Sequence, residues 1–171
     1  MAGSDTITGY IDMVLEAEDL AAVVLRVNSP GGSVFASDLI RRKLAEVRAA
    51  EIPVVVSMGS VAASGGYWIA AEADEIWALP TTITGSIGAF SAFPTIEGVI
   101  DYIGVKVDGL GTTPLAGAAS LNRGLSPEMS NIVQALSYGA YEDFIELVAT
   151  GRNMSDADVW EIAEGIVWIG A

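Results

Sequence analysis

One serine in this chain stands where nucleophilic chemistry is easiest to build. In VAASGGYWIA, residues 61–70, Ser64 falls where an apolar strand stops and a helix starts. A serine hydroxyl attacks a carbonyl only when a base takes its proton and donors await the oxyanion. The sequence has no histidine, which counts against a Ser-His-Asp triad. It has two lysines, Lys43 and Lys106. A lysine serves as base only when neutral, a state that burial in an apolar pocket favours. Taken alone, Ser64 reads as a helix cap.

A second loop changes that balance. NSPGG, residues 28–32, also follows a buried strand and opens a helix. Gly31 and Gly32 lack a Cβ, so their backbone approaches a ligand closely, and amides at a helix start lie at its positive end. The Gly65 amide, one residue past Ser64, can join this loop at one oxyanion position. Parallel strands put both loops at the carboxyl edge of the sheet, where α/β sites lie. Other chemistries are weaker. Ala62 and Gly66 flank Ser64, so there is no G-x-S-x-G elbow. Glu142 and Glu146 share a helix face at i and i+4 and read as solvated charge. Without cysteine there is no disulfide or thiolate site, and without histidine a zinc site needs carboxylates alone. No metal or cofactor is expected.

The elements that position these loops read as α/β. The 171 residues suit one domain, and 51% of them are hydrophobic, which argues against disorder. A helix is expected over 4–20 with Ser4 or Asp5 as cap, a buried strand over 21–27 and an amphipathic helix over 35–50. A second buried strand, 52–58, leads through GSVA into a helix over 63–73. Residues 75–80 read as a short strand and 81–94 as a glycine-punctuated strand or loop. A helix over 95–104 and a strand over 105–111 come next. A long helix starts at Ser126-Pro127, a shorter one at Ser155, and IVWIGA, 166–171, is strand-like. Strands alternating with helices imply a parallel sheet with crossovers. Stretches 52–71 and 79–96 are uncharged, but their glycines, prolines and serines suit buried strands and loops better than membrane spans. The formal net charge of −14 argues against nucleic acid and anionic lipid surfaces as partners. The first residues have neither a basic start nor an apolar run, so no signal peptide is expected.

VLRVNSPGGSV, VVVSMGSVAASGGYWIA, TTITGSIG and IVWIGA together resemble the signal peptide peptidase A family of serine peptidases. The resemblance runs from about residue 21 to the end. It implies the Clp-protease/crotonase fold, a spiral of parallel strands with crossover helices. It implies Ser64 as nucleophile, the Gly32 and Gly65 amides as oxyanion donors, and Ser86 of TGSIG as the partner of the base. That base is a lysine in the family. Gly31 and the segment Ala89, Phe90, Ser91 are expected along the groove for substrate, with residues 89–94 offered to peptide as an added strand; the other reading of Phe90 and Phe93 is as core or subunit contacts.

The family's lysine loop corresponds here to VDGLGTTPLAGAASLNRGLSPE, which holds no lysine. Its one basic residue is Arg123, too strong a base-holder to lose its proton. Lys43 sits in IRRKL on a solvated helix face, and Lys106 is off the family position. GTTPLAG resembles the loop that replaces the lysine in the C-terminal halves of double-length members. Residues 1–171 are therefore expected to be a single peptidase domain fragment, the serine-bearing C-terminal half, without the N-terminal half and without the final strand and helix. The expected partners are hydrophobic signal peptides or unfolded segments, the lysine-bearing N-terminal half, and further homologous units in a ring. The family works at the bacterial inner membrane, on its periplasmic or outer side, through an anchor outside this sequence. Two other readings stay open: a non-catalytic peptide-binding or scaffold module, and a crotonase-like acyl-CoA enzyme.

Overall fold

The computed structural model describes residues 3–113, 115–118 and 120–170. The regular structure comprises helices α1 (Ser4–Leu15), α2 (Val34–Ala49), α3 (Gly65–Ala70), α4 (Glu97–Tyr102), α5 (Pro127–Arg152) and α6 (Asp156–Ile162). The strands are β1 (Val23–Ser29), β2 (Val54–Ala63), β3 (Glu75–Trp77), β4 (Ile83–Gly85) and β5 (Val167–Ile169). The chain divides into two compact units, Met1–Gly88 with Tyr141–Ala171, and Ala89–Ala140.

The first unit carries the sheet. Valine-rich β1 and β2 pair in parallel from Val23↔Val54 to Val27↔Met58. Branched side chains suit this pleated surface, and Val27, Val54, Val56 and Met58 are buried on one face of it. The opposite edge of β2 is shared. Its first half pairs with β3 through Val55↔Glu75, and its last residues pair with β4 from Val61↔Ile83 to Ala63↔Gly85. Between those halves β2 bulges: the β1 register resumes at Ser29↔Ala62, so three β2 residues face Asn28 alone.

Two apolar clusters hold this unit. One gathers Ile11, Ile40, Leu44 and Val47 of α1 and α2 against Val54, Val56 and Ala70. The other gathers Ile87, Phe144, Ile145, Val148, Val159 and Ala163 against Trp68 and Ala71. The six-residue α3 thus contributes to both, and Tyr67 packs against each.

Capping chemistry sets several helix starts. Ser33 Oγ accepts the Ala36 N–H at 3.3 Å, and Ser126 Oγ accepts the Met129 N–H at 3.2 Å with Pro127 opening the helix. Ser155 and Asp158 form a reciprocal capping box at α6.

Some expected elements differ. Gly3, not Ser4 or Asp5, is the N-cap of α1, which ends at Leu15. α3 starts later than expected because Ala63 stays in the ladder with β4, and it ends at Ala70. β5 runs antiparallel to β4, from Ile83↔Ile169 to Gly85↔Val167, so the sheet is not wholly parallel. Residues 105–111 form no strand. Their alternation of valine and polar residues satisfies a strand pattern, but a strand also needs a neighbour to bond, and Val105 and Val107 are exposed. Pro114 of GTTPLAG and Ala171 of IVWIGA lie outside the described residues. In the second unit the Ile96 N–H donates to the Leu121 carbonyl at 2.8 Å, and the Ser91 and Ser137 hydroxyls bond at 2.7 Å.

Candidate active site

The β2–β4 ladder ends at Ala63↔Gly85. The next residues on the two strands are Ser64 and Ser86, both with a left-handed φ of 50°. Neighbouring strands stand about 4.8 Å apart, so two hydroxyl-bearing residues leave the sheet side by side at its carboxyl edge. The backbone is pinned there. The Ser64 N–H donates to the Gly85 carbonyl at 2.9 Å, and the Ser86 N–H donates to the Ile166 carbonyl at 2.8 Å. Ser64 has ψ −122° and occupies the N-cap position of α3, yet its side chain makes no capping bond. The simple helix-cap reading therefore fails for this serine. A non-glycine residue in such a conformation stores roughly 1–3 kcal/mol of strain and persists only where its surroundings enforce it.

The NSPGG loop lies on Ser64. A Cβ placed on Gly31, whose φ is 113°, would stand 2.7 Å from Ser64 Cβ, 3.0 Å from Ser64 Oγ and 2.9 Å from Gly65 N. Only glycine fits that approach. On the other side of the serine, a Cβ on Gly65 would stand 3.2 Å from Gly32 N. Gly31, Gly32, Ser64 and Gly65 are thus one cluster, assembled from the ends of β1 and β2. The Gly31 N–H is occupied by Ser29 Oγ at 3.2 Å. The Gly32 and Gly65 N–H groups have no hydrogen-bond partner among the described residues, which leaves both free to receive an anion. Ser37, which the sequence reading passed over as part of an amphipathic helix, is buried at 6% exposure. Its hydroxyl lies against Gly65, 2.5 Å from where a Cβ there would stand.

Neither lysine has the surroundings of a neutral base. Lys43 Nζ is paired with Asp12 at 2.8 Å and Glu46 at 2.7 Å. The hydrogen bond that Lys43 donates to Asp12, reinforced by the one to Glu46, raises its pKa above the usual lysine value, the wrong direction for a base. Lys106, in the second unit, pairs with Asp101 at 2.7 Å, and its side chain is 81% exposed. Ala89, Phe90 and Ser91 open the second unit. Phe90 is 89% exposed, and residues 89–94 have no strand structure.

Beside α3 lies an open groove of about 690 Å³ lined by Val34, Phe35, Asp38, Trp68 and Leu147; Ser64 is not in its lining. Asp38 accepts from Arg41 at 2.8 Å, from Arg42 at 2.6 Å and from Trp68 Nε1 at 3.4 Å. Burial pushes the Asp38 carboxyl up, and the two guanidinium groups more than offset it, leaving its pKa lowered. This network ties α2 to α3.

The mixed α/β sheet with its flanking helices is of the Clp-protease class of fold. The chain superimposes on a ClpP1 mutant from Listeria monocytogenes with a TM-score of 0.57 at 16% identity, over 92% of this chain and 70% of that one. Residues 46–171 match the model of peptidase family S49. The chain belongs to that family. It is 45% identical to Protease 4 of Haemophilus influenzae, over 99% of this chain and 28% of that protein. It is 49% identical to Protease 4 of Salmonella typhi, over 98% of this chain and 27% of that protein. To the putative signal peptide peptidase SppA of Enterococcus faecium it is 34% identical, over 92% of this chain and 46% of that protein. The chain thus spans less than half the length of each of these relatives.

Proposed function

We propose that this chain is the serine-bearing half of a Ser/Lys peptidase, with Ser64 as nucleophile and the lysine base supplied by a homologous N-terminal half. The observation that carries this reading is the conformation of Ser64, held at φ 50° beneath the Gly31 loop with the Gly32 and Gly65 amides free. The proton on Ser64 Oγ passes to a neutral lysine as Oγ bonds to the scissile carbonyl carbon. The carbonyl oxygen becomes an oxyanion, held by the Gly32 and Gly65 N–H groups. When the C–N bond breaks, the lysine returns that proton to the leaving amine. The lysine then takes a proton from water as the water oxygen bonds to the acyl carbon, and gives it to Ser64 Oγ as the ester C–O bond breaks. Ser86, level with Ser64 on the neighbouring strand, orients the lysine.

The substrates on this reading are hydrophobic signal-peptide remnants or unfolded segments, bound extended past Gly31. The units assemble in a ring that brings each serine a lysine. The work is done at the periplasmic or outer side of a bacterial inner membrane, through an anchor outside these residues; no helix among the described residues is long and apolar enough to cross a membrane.

The lysine pairings favour a second reading for the chain by itself, a peptide-binding or scaffold module without turnover. Hydrolysis of a fluorogenic apolar peptide separates the two, with Ser64→Ala as control. Turnover that depends on Ser64 and appears only when the lysine-bearing half is added supports the peptidase reading. Turnover by the chain alone refutes the shared base, and none with both halves present leaves the scaffold.

A further inference from the structure

The bulge in β2 sits three to five residues before Ser64, and its polar groups are met by specific side chains rather than by the ladder. Asn28 faces the three bulged residues alone. Its Oδ1 accepts the Val61 N–H at 3.2 Å. Only the amide oxygen can accept, so the bond also fixes which way the carboxamide points. Gly59 lies flat on this side chain: a Cβ there would stand 2.6 Å from Asn28 Oδ1. From the opposite edge, Thr82, fully buried at 0% exposure, donates its hydroxyl to the Gly59 carbonyl at 2.8 Å. The same hydroxyl accepts the Leu79 N–H at 3.0 Å. One residue of the bulge is held from each side of the strand.

A bulge bends its strand and increases the local twist. Here it also divides β2 between two neighbours, β3 before it and β4 from its last residue, Val61, onward. That second pairing sets Ser64 beside Ser86. The Asn28 carboxamide therefore reaches the nucleophile through the strand, without touching it.

We infer that Asn28 is a positioning residue for the proposed peptidase: its side-chain oxygen locks the β2 bulge and thereby aims Ser64 at the Gly32–Gly65 amides. This rests on the peptidase reading for its catalytic consequence, but the lock itself is a property of the chain alone. The two are tested separately.

Amide hydrogen exchange on the 171-residue chain reads the lock. In Asn28→Ala the Val61 amide loses its acceptor, and its exchange is expected to speed by about tenfold, the worth of one such bond. Val56, deep in the ladder before the bulge, serves as internal control for global loosening and keeps its protection. Asn28→Asp retains an acceptor of the same reach and restores slow exchange at Val61. Kinetics on the double-length protein read the aim. A misplaced nucleophile lowers kcat by about a hundredfold with KM little changed, and Asn28→Asp recovers most of it.

Unchanged exchange at Val61 in Asn28→Ala overturns the lock. Faster exchange with an unchanged kcat overturns the aiming role. Loss of kcat that Asn28→Asp fails to recover, while its exchange is normal, also overturns it. A wild-type double-length protein without Ser64-dependent turnover refutes the peptidase reading and with it the aim, while Val61 exchange still reports on the lock.

Discussion

Replacing Ser64 by glycine is expected to make the chain more stable while removing the reactive group. Ser64 sits at φ 50°, ψ −122°, where a side chain is disfavoured by about 1–3 kcal/mol and glycine is not. Against that gain, glycine's freer unfolded chain costs about 0.5–1 kcal/mol. The half-buried Cβ and hydroxyl that rest on Gly31 contribute a few tenths more on the order of side-chain burial. The difference leaves Ser64→Gly about 1 kcal/mol more stable than Ser64→Ala, which keeps the strain. Urea titration followed by far-UV circular dichroism measures this. With a slope of about 2 kcal/mol per molar, the midpoint of the glycine variant lies about 0.5 M above that of the alanine variant. Equal midpoints, or a higher one for alanine, would refute the claim that the fold holds Ser64 under tension.

Two further substitutions probe the same architecture. Gly31→Ala drives a methyl to 2.7 Å from Ser64 Cβ at a backbone φ of 113°. It should destabilise the chain and abolish fluorophosphonate labelling of Ser64 in the double-length protein, read by mass spectrometry. Asp74 tests pH dependence. It accepts the Val54 N–H at 2.7 Å and Arg48 Nε at 3.2 Å, and the backbone bond, foremost, with Arg48 lowers its pKa below 3.8. A carboxyl depressed on folding adds stability above its unfolded pKa, and this is lost as pH falls through the lower folded value. Asp74→Asn should therefore flatten the acid limb of a stability–pH curve below pH ~4 and lower stability at neutral pH.

Most of the sheet and the candidate site were legible in the chain because they are written locally. Valine runs announce β1 and β2, an amphipathic pattern announces α2, serine-led starts announce α5 and α6, and the two glycine loops announce where they meet. What escaped depends on partners distant in sequence. The strand expected at 105–111 fulfils its own pattern, but alternation does not reveal whether a neighbouring edge exists. The antiparallel direction of β5 is invisible for the same reason, since direction belongs to the pairing and not to the residues. Asn28 and Thr82 carry no signal of burial or bonding in their own surroundings; one is the first letter of a loop motif, the other a threonine among threonines. Their meaning comes from a bulge that appears only when β1 and β2 are laid side by side. Ser64 did look like a cap, and the absence of any capping bond from it is known only from its backbone angles and contacts.

The short helix behind Ser64 belongs to two apolar clusters at once, with Ala70 facing one and Trp68 the other. It acts as a rivet through two plates, and the tension at the serine is the load it carries. A loaded joint gives way before the plates come apart. Heating or mild denaturant should relax Ser64 to an ordinary conformation while β1 and β2 remain paired, so that reactivity fails ahead of the melt. The opening that disarms such a serine is local, and it can close again without refolding the rest.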